Sequence, residues 1–165
     1  MPQLDWTRDL AVGVHDLDYQ LEELVDRITL LHEVQYDLYE DVTRKTLLFL
    51  DEYVTRHFHT EEAYMRKYDY PQTELHMGEH ADFKENLNRL KLDFARRGTS
   101  PMYVDLLKNN LTKWLYNHIA KRDLELGRLV KAAIDKSAVH RREELSTPAL
   151  QPIDLTITER NVNSY

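Results

Sequence analysis

Four side chains that a protein core normally rejects fall on the apolar seams of two predicted helices. Over residues 41–67, Leu47, Leu50, Val54, His57, Glu61, Tyr64 and Tyr68 recur at three-four spacing, the inward face of a bundle helix. After Pro71 a second such pattern runs to about Arg97 through His76, His80, Phe83, Leu87, Leu90 and Phe94. Burying a polar group without a partner costs roughly 2–7 kcal/mol. Imidazoles and a carboxylate at core positions therefore call for something to bind, and a metal ion is one such partner. His57 with Glu61, and His76 with His80, are each four residues apart, so each pair presents two donors to one point.

A third pair, His118 and Asp123, lies on the next predicted helix, whose seam is Val104, Leu107, Leu111, Trp114 and His118, continuing through Leu126 and Val130 toward Lys136. These two are five apart, about 140° round an ideal α-helix. That spacing predicts that they do not meet one ion side by side; either they reach two ions, or one terminates while the other bridges. Imidazole and carboxylate donors suit iron, manganese or zinc, and a chain with no Cys offers no thiolate for copper(I) or an iron–sulfur cluster. Four His and two acids on separate helices are what a dinuclear site inside a bundle needs. Any one pair alone is weak evidence; three pairs, all on seams, in a chain with eight His are not.

The rest of the chain fits around this core. Leu17, Leu21, Leu24, Val25, Ile28 and Leu31 predict a first helix from about Asp18 to His32, with Asp18 at the positive end of its dipole. Residues 1–16 read as an arm whose Trp6, Leu10, Val12 and Val14 fold back over the bundle, with Gly13 interrupting any helix there. Gly98 reads as a C-cap, and Ser100 with Pro101 as the start of the fourth helix. Residues 137–165 hold Pro148 and Pro152 and read as a mostly irregular tail beyond a 1–136 domain. The expected fold is all-α, an antiparallel up-down four-helix bundle. His15, His32, His59 and His140 are expected outside the site. A net charge of −7 leaves no basic footprint for nucleic acid. No apolar stretch approaches the roughly 20 residues that cross a bilayer. Without a signal-peptide pattern or cysteines, the expected compartment is the cytoplasm.

The segments HFHTEEAYM, HMGEH and WLYNHIAKRD resemble the signature of the hemerythrins, the bacterial ones in particular, and WTRDLAVGVHDLDYQ is similar to that family's arm and first-helix start. The resemblance covers about residues 6–130. It implies a non-heme di-iron centre that binds dioxygen reversibly at one iron. Carried over by position, His76, His80 and His118 hold the coordinatively fuller iron and His57 the other. Glu61 and Asp123 bridge the pair alongside an oxo or hydroxo group. The family's remaining ligand is a first-helix His, and here that position is Leu21, with Asp18 the nearest polar substitute. The expected function is binding of dioxygen or a related small molecule, as storage, delivery or sensing, rather than catalysis. Turnover of peroxide or nitric oxide at a more open iron, or an interaction protein with a partly filled or empty site, are the alternatives.

Overall fold

The computed structural model describes residues 10–146, with side chains to 142. Helix α1 spans His15–Glu33, a short 3-10 turn Tyr36–Leu38 follows, and α2 spans Tyr39–Lys67. Helix α3 covers Thr73–Arg97 and α4 covers Pro101–Trp114. The fourth rod does not stop there: a π-helical segment, Leu115–Asp123, leads without a break into α5, Leu124–Ser146. The result is an all-α, antiparallel up-down four-helix bundle with no strand among the described residues. Helix α1 packs on α2 and α4, and α2 also packs on α3.

Local chemistry sets the helix ends. Gly98 sits at φ 69, a conformation glycine adopts without strain, and its N–H donates to Phe94 O at 2.8 Å. Two residues on, the Ser100 hydroxyl accepts from Tyr103 N–H at 3.1 Å, and Pro101 takes the first helical position, where its missing N–H costs nothing. The apolar stripes then meet in one core. Leu17, Leu24, Ile28 and Leu31 of α1 are buried together with Leu50 of α2, Leu87 of α3 and Leu107 and Leu111 of α4.

The arm lies where its apolar residues predict. Leu10, Val12 and Val14 are buried, and Trp6 lies outside the described residues. Asp18, at the start of α1, accepts from Val12 N–H at 2.6 Å and from Gly13 N–H at 3.1 Å, which ties the arm to the helix. Gly13 has φ 81. The arm crosses α5 at Gly127, where a Cβ would lie 2.3 Å from the Val12 carbonyl oxygen. Only glycine permits that approach.

The last helix runs past Lys136, where the sequence pattern places its end. Helix α5 continues to Ser146 although residues 134–142 are all exposed. Good helix formers such as Ala138, Arg141 and Arg142 sustain it. Side chain to backbone bonds add support, as from Ser137 Oγ to Ala133 O at 2.9 Å. The remainder of the expected tail, 147–165, lies outside the described residues.

Candidate metal centre

All six candidate residues, His57, Glu61, His76, His80, His118 and Asp123, are buried in the bundle interior. Helix α2 contributes His57 and Glu61 from one face, one turn apart. The first two turns of α3 contribute His76 and His80, again one turn apart. Their donor atoms form two overlapping groups. Glu61, His76, His80 and His118 offer atoms that all lie within 4.8 Å of one another, and so do His57, Glu61 and Asp123. Glu61 belongs to both groups. Asp123 also faces both ways, with Oδ1 at 3.2 Å from His76 Nε2 and 3.1 Å from His118 Nε2, and Oδ2 at 3.4 Å from His57 Nε2.

The ideal-helix expectation for His118 and Asp123 is overturned. Both sit in the π-helical segment, where Leu124 N–H reaches back five residues to Ile119 O. A wider turn that closes on the fifth residue brings i and i+5 together instead of setting them about 140° apart. Their Nε2 and Oδ1 atoms are consequently 3.1 Å apart. One extra residue per turn aims both polar groups inward and leaves the apolar seam, from Leu111 and Leu115 to Leu126 and Val130, buried on either side.

The donor atoms are close without being satisfied. Both Glu61 oxygens, Asp123 Oδ1, and the Nε2 atoms of His76, His80 and His118 are buried with no hydrogen-bond partner. Buried polar atoms are nearly always paired. Six that are not, gathered around two points, fit a site built for cations. The chemistry of the set agrees, because neutral imidazoles with two carboxylates match first-row divalent ions such as iron, manganese or zinc.

Electrostatics in the metal-free chain point the same way. Burial alone would lower the His76 imidazole, but the carboxylates of Asp123 and Glu61 reverse this and push it up to about 9. His57 is likewise opposed by burial and raised by Glu61 and Asp123. Burial and the charge of Asp123 would raise Glu61, yet the surrounding imidazoles hold it below the usual carboxylate range. Asp123 is held well below that range, the contacts from His118, His57 and His76 outweighing burial. For His80 burial wins and the imidazole is lowered. The two carboxylates thus act on the imidazoles as a bound cation would act on the carboxylates, and metal binding exchanges protons for ions.

Around these donors is a shell that sequence reasoning did not single out. His118 Nδ1–H donates to Glu79 Oε2 at 2.6 Å, and Glu79 Oε1 accepts from Arg122 Nε at 2.9 Å. Arg122 also donates to Gln72 Oε1 at 2.8 Å. His57 Nδ1–H donates to Gln20 Oε1 at 3.0 Å. Glu62 Oε1 lies 3.4 Å from His80 Nδ1. Aromatic rings clamp three imidazoles: Phe58 on His80 with centroids at 3.7 Å, Trp114 on His118 at 3.9 Å, and Tyr53 on His57 at 4.9 Å. The one available signal was position, since Glu79 and Gln20 adjoin buried seam residues.

Leu21 is fully buried on the α1 stripe. Asp18, expected as the nearest polar substitute, is engaged by the Val12 and Gly13 N–H groups of the arm. His15, His59 and His140 are exposed, and so is His32, whose Nε2 lies 3.4 Å from Thr112 Oγ1.

The chain is similar to bacteriohemerythrins from three species. That of Stenotrophomonas maltophilia is 27% identical over 138 residues, covering 84% of this chain and 88% of the relative. That of Pseudomonas paraeruginosa is 29% identical over 123 residues, covering 74% of this chain and 78% of the relative. A Pseudomonas aeruginosa bacteriohemerythrin is 28% identical over the same length. The sequence profile of the hemerythrin HHE cation binding domain matches residues 12–130. It takes in the inner arm, all four rods of the bundle and every candidate ligand, and the chain belongs to that family.

Proposed function

We propose that this chain is a non-heme di-iron protein that binds dioxygen or a related small molecule, for storage, delivery or sensing. The observation that carries the reading is the pair of overlapping donor groups, buried, sharing Glu61, and holding six donor atoms without a hydrogen-bond partner. His76, His80 and His118 would hold one iron, His57 the other, with Glu61 and Asp123 spanning both. Iron, when bound, supplies a reversible one-electron change at each centre and an affinity for small diatomic ligands. The protein's own part is to fix these donors and keep water out. The rings of Phe58, Trp114 and Tyr53 lie against the imidazoles, and the apolar seams close the core around them. Glu79 stiffens His118, because its carboxylate is anchored in turn by Arg122.

Leu21 favours a second reading of the same centre. Leucine has no lone pair, so the His57 side has one protein donor fewer than the family pattern supplies. A more open iron can turn over peroxide or nitric oxide instead of holding a ligand. We assign either activity to a domain of residues 1–136 and to the cytoplasm, a reducing compartment that a chain with no Cys fits. Absorption spectra of iron-loaded protein under cycles of air and argon test the first reading. A visible band that comes with oxygen and leaves with argon supports binding; steady consumption of peroxide or nitric oxide supports turnover. A spectrum indifferent to all three ligands refutes both.

A further inference from the structure

Gln20 is 7% exposed and lies one residue before Leu21, at the point where α1 faces His57 of α2. Its carboxamide is oriented by a directed chain of hydrogen bonds. The Thr60 hydroxyl donates to the Arg56 carbonyl at 2.9 Å, so toward Gln20 it can only accept. Gln20 Nε2 therefore points at Thr60 Oγ1, at 3.3 Å, which turns Oε1 toward His57 Nδ1 at 3.0 Å. An amide oxygen accepts and never donates, so the His57 proton must sit on Nδ1 and its lone pair on Nε2. Nε2 is the atom that faces Glu61 at 3.7 Å and Asp123 at 3.4 Å.

The two halves of the centre differ in what stands behind their imidazoles. Behind His118 is the Glu79 carboxylate at 2.6 Å. A full negative charge on that hydrogen bond makes the ring a more basic ligand. Behind His57 is a neutral amide. We propose that Gln20 is a positioning residue for the His57-side ion: it locks His57 in the tautomer that presents Nε2, and as a neutral acceptor it leaves that imidazole a weaker donor than His118. In a chain with Leu21 where the family places a His, this bond, together with the stacked Tyr53 ring, holds the last imidazole of the depleted side in register. The inference rests on the di-iron reading above.

The test compares wild type with Gln20→Leu, Gln20→Glu and Thr60→Val, titrated with ferrous iron under argon. The readouts are stepwise affinities and the paramagnetically shifted, exchangeable ring N–H of His57. Gln20→Leu is expected to weaken the second ion about 10–100-fold and leave the first unchanged, as lost outer-shell partners usually do. Its His57 N–H should exchange with solvent faster. Gln20→Glu is expected to match or exceed wild type at the second ion, since it keeps the acceptor and adds charge, while Thr60→Val gives a smaller loss of the same sign. A purely structural role would depress the thermal stability of the metal-free protein and weaken both ions together, without rescue by Glu. That pattern overturns the proposal, as does a second-ion affinity equal in wild type and Gln20→Leu, or a wild type that binds a single ion. A wild type that takes up no iron overturns the di-iron reading itself and the inference with it.

Discussion

Restoring a donor at Leu21 separates the metal-free fold from the loaded one. Leu21 has no exposed surface, so Leu21→His removes about 1.5–3 kcal/mol of apolar burial. An imidazole left there without a partner costs about 1–3 kcal/mol more. The chelator-treated variant should therefore be less stable than wild type by about 2.5–6 kcal/mol, read as a lower urea midpoint. Iron should narrow the gap, because the new imidazole then has something to bind. An ion held 100-fold below its free concentration stabilises the native state by about 2.7 kcal/mol. The loaded variant should thus regain much of the loss, retain two irons through a chelator challenge that strips one from wild type, and autoxidise more slowly. Equal destabilisation with and without iron would refute the reasoning, because the new side chain would then be remote from the ions. So would a wild type that already keeps both irons as firmly as the variant.

Two further outcomes follow from the same geometry. In metal-free protein His76 is raised from 6.5 to about 9, so its contribution is complete below pH 6.5 and is lost as pH rises through about 9. The shift corresponds to a loss of about 3 kcal/mol. The lowered Asp123 and Glu61 act oppositely, contributing above the ordinary carboxylate range and failing in acid. Urea midpoints of chelated protein should fall between pH 6.5 and 9.5, and a flat or rising profile contradicts this. Truncation after Lys136 should leave metal content unchanged and stability within about 0.5 kcal/mol, since Ser137 to Arg142 are exposed. A large loss of either, measured by thermal unfolding and metal analysis, would show that the end of the chain packs on the bundle.

The bundle was legible because its seams are. A helix that buries one face must repeat apolar residues at three-four spacing, and Leu47, Leu50 and Val54, or Phe83, Leu87 and Leu90, do so. The six polar candidates stood out because they interrupt that pattern. What the pattern hides is a change of helical pitch. Nothing in LYNHIAKRD disfavours an ordinary α-helix; the π segment follows from tertiary demand, since both His118 and Asp123 must face inward although five apart. Gln20 and Glu79 escaped for a different reason. A polar residue beside a seam reads as solvated, and only the opposite helix shows that Gln20 meets His57 and Glu79 meets His118. The extension of α5 to Ser146 was missed because it carries no buried stripe, the one signal by which that end was judged.

The central claim is that the buried donors hold a pair of iron ions, unequal in strength. Iron analysis of freshly purified protein, repeated after timed exposure to a chelator, tests it most directly. The expected result is close to two irons per chain at first, with one leaving well before the other. A chain that carries no iron, or that releases both at one rate, would contradict it.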